Sequence, residues 1–172
     1  MSSILLVTSS PRGSESLSNA IATELAEKFA GQSGGAVVHR DLVESQLDHV
    51  DGAFTTAIRK AADARTAEEA EAVALSDKLV EELMAADTIV IGTGLINFNI
   101  YSSLKSWIDH VARAGLTFSY TENGPPVVID SGPVVLKRKL EPPPGSRATP
   151  PAATMLALVS NPTSTPAATR AS

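Results

Sequence analysis

Short apolar runs alternate with longer amphipathic segments through most of the chain. Residues 4–7 and 88–91 are apolar without alternation, as expected for strands buried on both faces. A third run, at residues 36–39, can supply another strand and continues to residue 42. The pattern predicts a parallel sheet whose strands are separated by helices.

Three segments have the spacing of helices with one apolar face. The first helix is expected to end near residues 31–35, where glycines occur, and the second to begin at Thr66, which fits a capping box with Glu69. The apolar positions are Ile21, Leu25 and Phe29 in the first helix, Leu75, Leu79 and Leu83 in the second, and Leu104, Trp107, Ile108 and Val111 in the third.

The third helix also has a polar face. Lys105, Asp109 and Arg113 fall away from its apolar stripe and are expected to face solvent. His110 lies beside Asp109 and is interpreted as a solvated residue of the same face. Gly115 is expected to end the helix as a C-cap.

The connections between these elements differ in pattern. Residues 43–65 contain few large apolar side chains and are expected to be mostly loop, with room for a short helix. Phe118 and Tyr120 alternate with polar residues before Asn123-Gly124, which is typical of a projecting hairpin. Residues 134–136 can supply one further strand.

This order of elements predicts an α/β fold, a doubly wound parallel sheet with right-handed crossovers. Dinucleotide-binding folds of this kind have glycines after the first strand, whereas the first turn here is rich in serine. A flavodoxin-like sheet fits better. There a mononucleotide phosphate occupies the first turn, and its ring lies beside the loop after the third strand.

Two loops are candidate binding elements. The first, residues 8–19, precedes a helix whose free N–H groups and hydroxyl-bearing neighbours suit a phosphate, although the serines could equally cap the helix and solvate the loop. The second, residues 92–99, brings glycines and the triplet Asn97-Phe98-Asn99 to the carboxyl end of a strand, where open α/β sheets bind ligands. No GxGxxG or Walker pattern is present in the sequence.

The amino-acid composition limits the partners and the kinds of reaction that the chain can have. The 172 residues suit one domain, and a net charge of −5 argues against a nucleic-acid partner. There is no cysteine, so disulfides and thiolate catalysis are excluded and redox chemistry must come from a cofactor. The three histidines lack the spacing of metal ligands, so no metal site is expected. No membrane partner is expected either. Without a signal-peptide pattern or a long apolar run, the chain is predicted to be cytoplasmic.

Four segments resemble the family of FMN-dependent NADH-azoreductases, which are flavodoxin-like quinone and azo-dye reductases. They are SSPRGSESLSN at 9–19, ALSDKLVEEL at 74–83, INFNI at 96–100 and LKSWIDHVARAGLTFSYTENGP at 104–125. The resemblance implies that NADH reduces bound FMN, which then reduces a quinone or azo compound, with no catalytic side chain. It also implies a homodimer with Phe118 and Tyr120 walling the substrate slot, although these two could instead be ordinary hairpin packing. The implied phosphate-binding residues are Ser10, Ser16, Leu17 and Ser18, and the implied ring-binding residues are Leu95, Ile96, Asn97 and Phe98.

The resemblance leaves other functions open. A flavodoxin-like module could instead be a non-catalytic electron carrier or a scaffold, or the chain could be a truncated, inactive reductase. A yellow protein that bleaches with NADH would be a reductase, whereas one that holds flavin and ignores NADH would be a carrier.

The chain departs from the family in two places. Gly94-Leu95-Ile96 replaces the usual Pro-Met-Tyr, and Tyr101 replaces a proline. The second place is after residue 136, where the family's Gly-Gly pair is missing. The flavin domain is therefore predicted at residues 1–136, without the fold's last strand and helix, and residues 137–172 are predicted to be a disordered Pro/Ala/Ser/Thr-rich tail. One hypothesis is that the reading frame shifts near Lys137, which the nucleotide sequence would test, and the alternative is a genuine linker.

Overall fold

The core of the fold is a three-stranded parallel sheet. The computed structural model describes residues 2–121 and 124–128. Strands β1 (Ser3–Thr8), β2 (Ala36–Asp41) and β3 (Thr88–Gly92) lie in the order β2-β1-β3. Ile4 of β1 pairs with Val37 on one side and with Thr88 on the other. Because β1 is central, the loop after it lies between the ends of its two neighbours.

The two faces of β1 pack on different helices. Ile4 and Leu6 pack with Ala22 and Ala26 of helix α1 (Leu17–Ser33). The opposite face packs on helices α3 (Ala67–Met84) and α4 (Ser102–Val111), through a cluster that contains Leu5, Val7, Leu79, Leu104 and Trp107. Helices therefore cover both faces of the sheet, as predicted for the flavodoxin-like class.

Local signals explain where the helices begin. Ser16 caps α1 by accepting a hydrogen bond from the Asn19 N–H, and α1 ends at Gly34, whose φ of +63° suits glycine. Thr66 and Glu69 form both bonds of a capping box at the start of α3, as predicted. Leu79 and Leu83 of the predicted stripe are buried, but Leu75 lies at the rim and is exposed.

The long connection after β2 contains one short helix. Helix α2 (Gly52–Ala57) begins at Asp51, whose side chain accepts from the Phe54 N–H. Phe54 is buried, and its ring centroid lies 5.2 Å from that of His110 in α4. The expected mixture of loop and short helix is confirmed, and α2 covers part of α4.

Four expectations for the third helix are wrong. Helix α4 ends at Val111 with Ala112 as its C-cap, and Gly115 lies in the turn beyond it. Arg113 is 2% exposed because the chain has left the helix there, so the helical projection no longer gives its direction. His110 is 5% exposed because α2 packs over it, and Ile108, expected in the buried stripe, is exposed.

Two small antiparallel units complete the described chain. Strands β4 (Leu95–Ile96) and β5 (Asn99–Ile100) pair around Asn97 and Phe98. Strands β6 (Phe118–Thr121) and β7 (Gly124–Val128) form the predicted hairpin. The strand expected at 134–136 and the tail at 137–172 lie outside the described residues. Among the described residues, no helix combines the length and apolar character that crossing a membrane requires.

Candidate functional site

The two candidate loops meet at the carboxyl ends of β1 and β3. The Ser9 N–H donates to the Gly92 carbonyl at 3.1 Å, and the Ser9 hydroxyl donates to Thr93 Oγ1 at 2.8 Å. The Ser103 hydroxyl, from α4, donates to the Ser9 carbonyl at 3.4 Å. Ser9 therefore joins the serine loop to the loop after β3 and to α4.

The predicted phosphate-binding serines lie together at the start of α1. Ser10, Ser16 and Ser18 are all buried, and the hydroxyl oxygens of Ser16 and Ser18 are 3.0 Å apart. Leu17 is 54% exposed, so its side chain points away and it can contribute only its backbone N–H. The first turn of a helix offers unpaired N–H groups and the positive end of the helix dipole. The arrangement suits an anion with several oxygens.

Asn19 holds the shape of this loop. Its Nδ2 donates to the carbonyls of Ser10 at 3.5 Å and Gly13 at 3.4 Å. Gly13 has a φ of +54°, which a residue with a side chain rarely adopts. Among the described residues, Asn19 Oδ1 is the buried side-chain atom without a hydrogen-bond partner.

The loop also sits unusually close to β3. A Cβ atom at Gly92 would lie 2.8 Å from the Ala22 Cβ and 3.0 Å from the Ser18 carbonyl oxygen. Only glycine therefore lets the first turns of α1 rest against β3. This contact sets the distance between the serine loop and the loop that follows β3.

The second loop presents an exposed apolar turn. Asn97 and Phe98 have φ values of 49° and 63°, so both are left-handed, which is uncommon for residues with side chains. Two left-handed residues in a row make the turn that joins β4 to β5. Phe98 is fully exposed and Ile96 is half exposed. The four predicted ring-binding residues therefore lie on one small hairpin at the carboxyl end of β3.

Buried polar contacts fix the turn before the β6–β7 hairpin. Arg113 Nη1 donates to Ser76 Oγ at 2.6 Å and to Asp77 Oδ1 at 2.9 Å, both on α3. The Arg113 N–H donates to Thr117 Oγ1 at 2.9 Å. Phe118 is half-buried at the start of β6, whereas the side chain of Tyr120 lies outside the described part of the chain.

A groove of about 460 Å³ lies between α1 and β2 and adjoins the serine loop, whose Thr8, Gly13, Ser14 and Asn19 line part of it. Four carboxylates line it, those of Glu24, Glu27, Asp41 and Glu44. Carboxylates repel a phosphate, so the part of the groove that they line does not suit an anion. No set of three acidic or histidine side chains in residues 2–121 and 124–128 is grouped to hold a metal ion.

Sequence reasoning found the two loops but missed the residues that connect them. Ser9, Thr93 and Ser103 bond across the site, yet each is a small polar residue without a distinctive spacing. The serine-rich composition could have indicated Ser9, but nothing in the sequence indicates its partners. Their roles depend on strand order, which brings the ends of β1 and β3 together.

Comparison with known proteins agrees with this architecture. The model of a family described as having a flavodoxin-like fold matches residues 2–137. The chain belongs to this family. The flavodoxin-like match includes both candidate loops and all the described strands and helices.

Several relatives of this flavodoxin-like chain are named as oxidoreductases. A protein from Rhizobium leguminosarum bv. trifolii named FMN-dependent NADH:quinone oxidoreductase is 71% identical over 126 residues, which are 73% of this chain and 61% of the relative. A protein of the same name from Agrobacterium fabrum is 66% identical over 126 residues, 73% of this chain and 62% of that protein. The chain thus spans less than two thirds of the length of these curated relatives.

Solved structures give the same picture. An azoreductase from Bacillus anthracis superposes with a TM-score of 0.64 at 34% identity, over 74% of this chain and 62% of that one. An FMN-dependent NADH-azoreductase from Bacillus anthracis, solved in complex with FMN, superposes with a TM-score of 0.62 at 25% identity. That match covers 72% of this chain and 61% of the other.

Proposed function

We propose that this flavodoxin-like chain is an FMN-dependent oxidoreductase that passes electrons from NADH to a quinone or an azo compound. One observation carries the proposal: a buried serine cluster at a helix start lies beside an exposed aromatic turn, and Ser9 joins the two loops. An anion site next to an apolar surface matches a phosphorylated ligand with a flat ring. The names of the relatives supply the chemical class.

The serine loop would hold the FMN phosphate. Hydroxyl groups of Ser10, Ser16 and Ser18 can donate to its oxygens, and the Leu17 N–H can add a backbone donor. These groups are already fixed by the cap at Ser16 and by the bonds from Asn19. Little ordering is then required on binding, which favours affinity.

The hairpin from Leu95 to Ile100 would hold the ring. Leu95, Ile96 and Phe98 offer apolar contact, and the exposed amide of Asn97 offers a donor and an acceptor for polar atoms at the ring edge. Bound FMN would supply the hydride and electron transfer. The chain's own residues then need to orient the ring and exclude water, and no side chain acts as a nucleophile.

The partners follow from the same chemistry. Phe118 and Tyr120 are proposed to wall a slot for a small aromatic acceptor. The exposed apolar side chains of Ile96 and Phe98 support a homodimer in which a second copy covers this edge of the sheet. A cytoplasmic location remains a prediction from the sequence.

Steady-state assays of the purified full chain test the proposal. NADH oxidation should require added FMN together with a quinone or an azo dye, and riboflavin should substitute poorly because it lacks the phosphate. Binding of FMN without reduction by NADH would indicate an electron carrier instead. A folded chain that binds no flavin would contradict the proposal.

A further inference from the structure

Gly94 and Tyr101 occupy the two ends of the ring-binding hairpin. Gly94 directly precedes β4, and Tyr101 directly follows β5. These two strands form a unit of only two residue pairs, Leu95 with Ile100 and Ile96 with Asn99. Whatever fixes the base of the hairpin therefore also fixes the turn that carries Asn97 and Phe98.

The side chain of Tyr101 lies directly over Gly94. A Cβ atom at Gly94 would lie 3.1 Å from both Cε2 and Oη of Tyr101 and 3.4 Å from its Cζ. Gly94 does not have a positive φ, unlike Gly13, Gly34 and Gly115. Glycine is thus favoured here by space rather than by backbone conformation, because a Cβ atom would require the tyrosine ring to shift by a few tenths of an ångström.

Both ends of this contact are anchored to rigid structure. The Tyr101 carbonyl accepts the N–H groups of Leu104 and Lys105 at 3.1 Å each and so begins α4. Leu104 is buried in the main core. On the other side, Thr93 Oγ1 donates to the Gly94 carbonyl at 3.2 Å and accepts from Ser9.

The hairpin needs such support. Two-stranded units of this size are marginally stable by themselves, and left-handed residues with side chains persist only where their surroundings hold them. The contact between Tyr101 and Gly94 supplies a fixed base on the α4 side. Without it, the turn could move relative to the serine loop.

We infer that Tyr101 is a positioning residue for the flavin ring, which it places by packing on Gly94 at the base of the hairpin. The inference rests on the proposed binding of FMN. It assigns no contact between Tyr101 and the reacting atoms. It predicts that loss of this contact weakens binding of the flavin ring and leaves binding of the phosphate unchanged.

A double-mutant cycle tests this contact through the affinities for riboflavin and FMN, followed by flavin fluorescence. Gly94→Ala should weaken the binding of both ligands by roughly tenfold, which corresponds to about 1.4 kcal/mol. In the Tyr101→Ala background, Gly94→Ala should have no effect or a favourable one, because the space is then open and alanine is less flexible than glycine. Tyr101→Phe keeps the ring and should bind as the unaltered chain does.

Cleavage by chymotrypsin after Phe98, followed by mass spectrometry, reports on the hairpin without any flavin. Gly94→Ala and Tyr101→Ala should each speed cleavage at Phe98 relative to cleavage elsewhere, whereas Tyr101→Phe should not. An equal effect of Gly94→Ala with and without the tyrosine, in affinity and in cleavage, would overturn the inference. So would a loss confined to FMN, since that would place the effect at the phosphate. If the unaltered chain binds neither flavin, the proposed function fails and the positioning role fails with it. This holds even if the cleavage pattern shows that Tyr101 supports the hairpin.

Discussion

The serine loop and the ring hairpin are built in opposite ways, although they meet at one edge of the sheet. In the serine loop, Ser10, Ser16 and Ser18 are buried, Ser16 caps α1, and Asn19 holds the loop by hydrogen bonds, so this region offers hydroxyls and backbone N–H groups. The hairpin is exposed, apolar and held in a left-handed turn. Under the proposed function, the first would hold a charged group and the second would contact a flat ring.

This difference follows from what each half of FMN would need. A phosphate must exchange its hydration shell for fixed donors, and donors at a helix start are fixed before binding. A flat ring gains mainly from apolar contact, and an exposed face leaves room for a second flat molecule to approach. Substitutions in the two loops should therefore separate phosphate affinity from ring affinity.

Gly92→Ala should have the largest effect, because Gly92 lies between the two regions. The new Cβ would meet Ala22 and the Ser18 carbonyl, so α1 must move away from β3. We expect a loss of about 1 to 3 kcal/mol in the free energy of unfolding, as for overpacked cores. Affinity for FMN and riboflavin should fall together, as urea unfolding and fluorescence titration would measure.

A matched control for this change exists in α1. A Cβ at Gly31 would meet nothing within 4 Å, and the residue lies inside the helix. Gly31→Ala should raise the free energy of unfolding by about 0.5 to 1 kcal/mol, because alanine is the better helix former. A stable Gly92→Ala chain with unchanged flavin affinity would show that the close approach of α1 to β3 does not shape the site.

Ser16→Ala should separate the phosphate from the ring. It removes a buried hydroxyl and the α1 cap, which is worth about 1 kcal/mol of stability. A lost hydrogen bond to a charged group costs about 1.5 to 3 kcal/mol, so FMN affinity should fall roughly 10- to 100-fold. Riboflavin affinity should stay nearly constant. Ser14→Ala, at an exposed position of the same loop, should change neither affinity. An equal loss of FMN and riboflavin affinity in Ser16→Ala would contradict the proposal that the two loops bind different parts of the flavin.

Phe98→Gly should act on the ring and stabilise the fold. Phe98 is fully exposed and left-handed, so glycine removes steric strain of about 1 kcal/mol and leaves no cavity. Riboflavin and FMN should both bind more weakly, by a similar factor, while the melting temperature rises. Met84→Ala removes another exposed apolar side chain, at the end of α3, and should leave flavin affinity unchanged. Unaltered riboflavin affinity in Phe98→Gly would exclude this turn from the ring site.

The smallest effect is expected at Glu69, whose hydrogen-bond partners Lys60 and Thr66 belong to neither loop. Its hydrogen bond from Lys60, and then the one from the Thr66 N–H, hold the pKa of its carboxyl below the ordinary value of 4.5. A pKa lowered by folding stabilises the fold above that ordinary value, and the stabilisation is lost as the pH falls through the lower, folded value. Glu69→Gln should therefore flatten the acid side of the stability profile, with no change in flavin binding. Glu68→Gln, an equal change of charge in the same turn, is the control, and an identical flattening there would contradict the role of the bonds.

Much of the fold could be predicted from the sequence because its elements carry local signals. Buried strands such as β1 are continuous apolar runs, and the cap at Thr66 is readable from two residues. The errors at His110 and Arg113 have a common cause. Their burial depends on α2 and on the side chains of α3, which are distant in sequence and meet α4 only in the folded chain.

The candidate site was predictable to the same degree. The positions of the two loops follow from strand order, and the three serines expected to bind a phosphate, Ser10, Ser16 and Ser18, are buried together at the start of α1. That they bind a phosphate stays a prediction. The cross-links from Ser9 and the packing of Tyr101 on Gly94 were not predictable, because each depends on a distance between residues that no local pattern encodes. Both residues of the second contact are predicted from the sequence to depart from the family that the chain resembles, and the structure places them in contact.

The most direct measurement is a pair of fluorescence titrations of the unaltered full chain, one with FMN and one with riboflavin. The chain should quench the fluorescence of both ligands. FMN should bind at least roughly tenfold more tightly than riboflavin, a factor that corresponds to about 1.4 kcal/mol from the phosphate contacts. Equal affinities would show that the serine cluster does not hold the phosphate. Undiminished fluorescence of both ligands, with a chain that is folded, would contradict flavin binding itself.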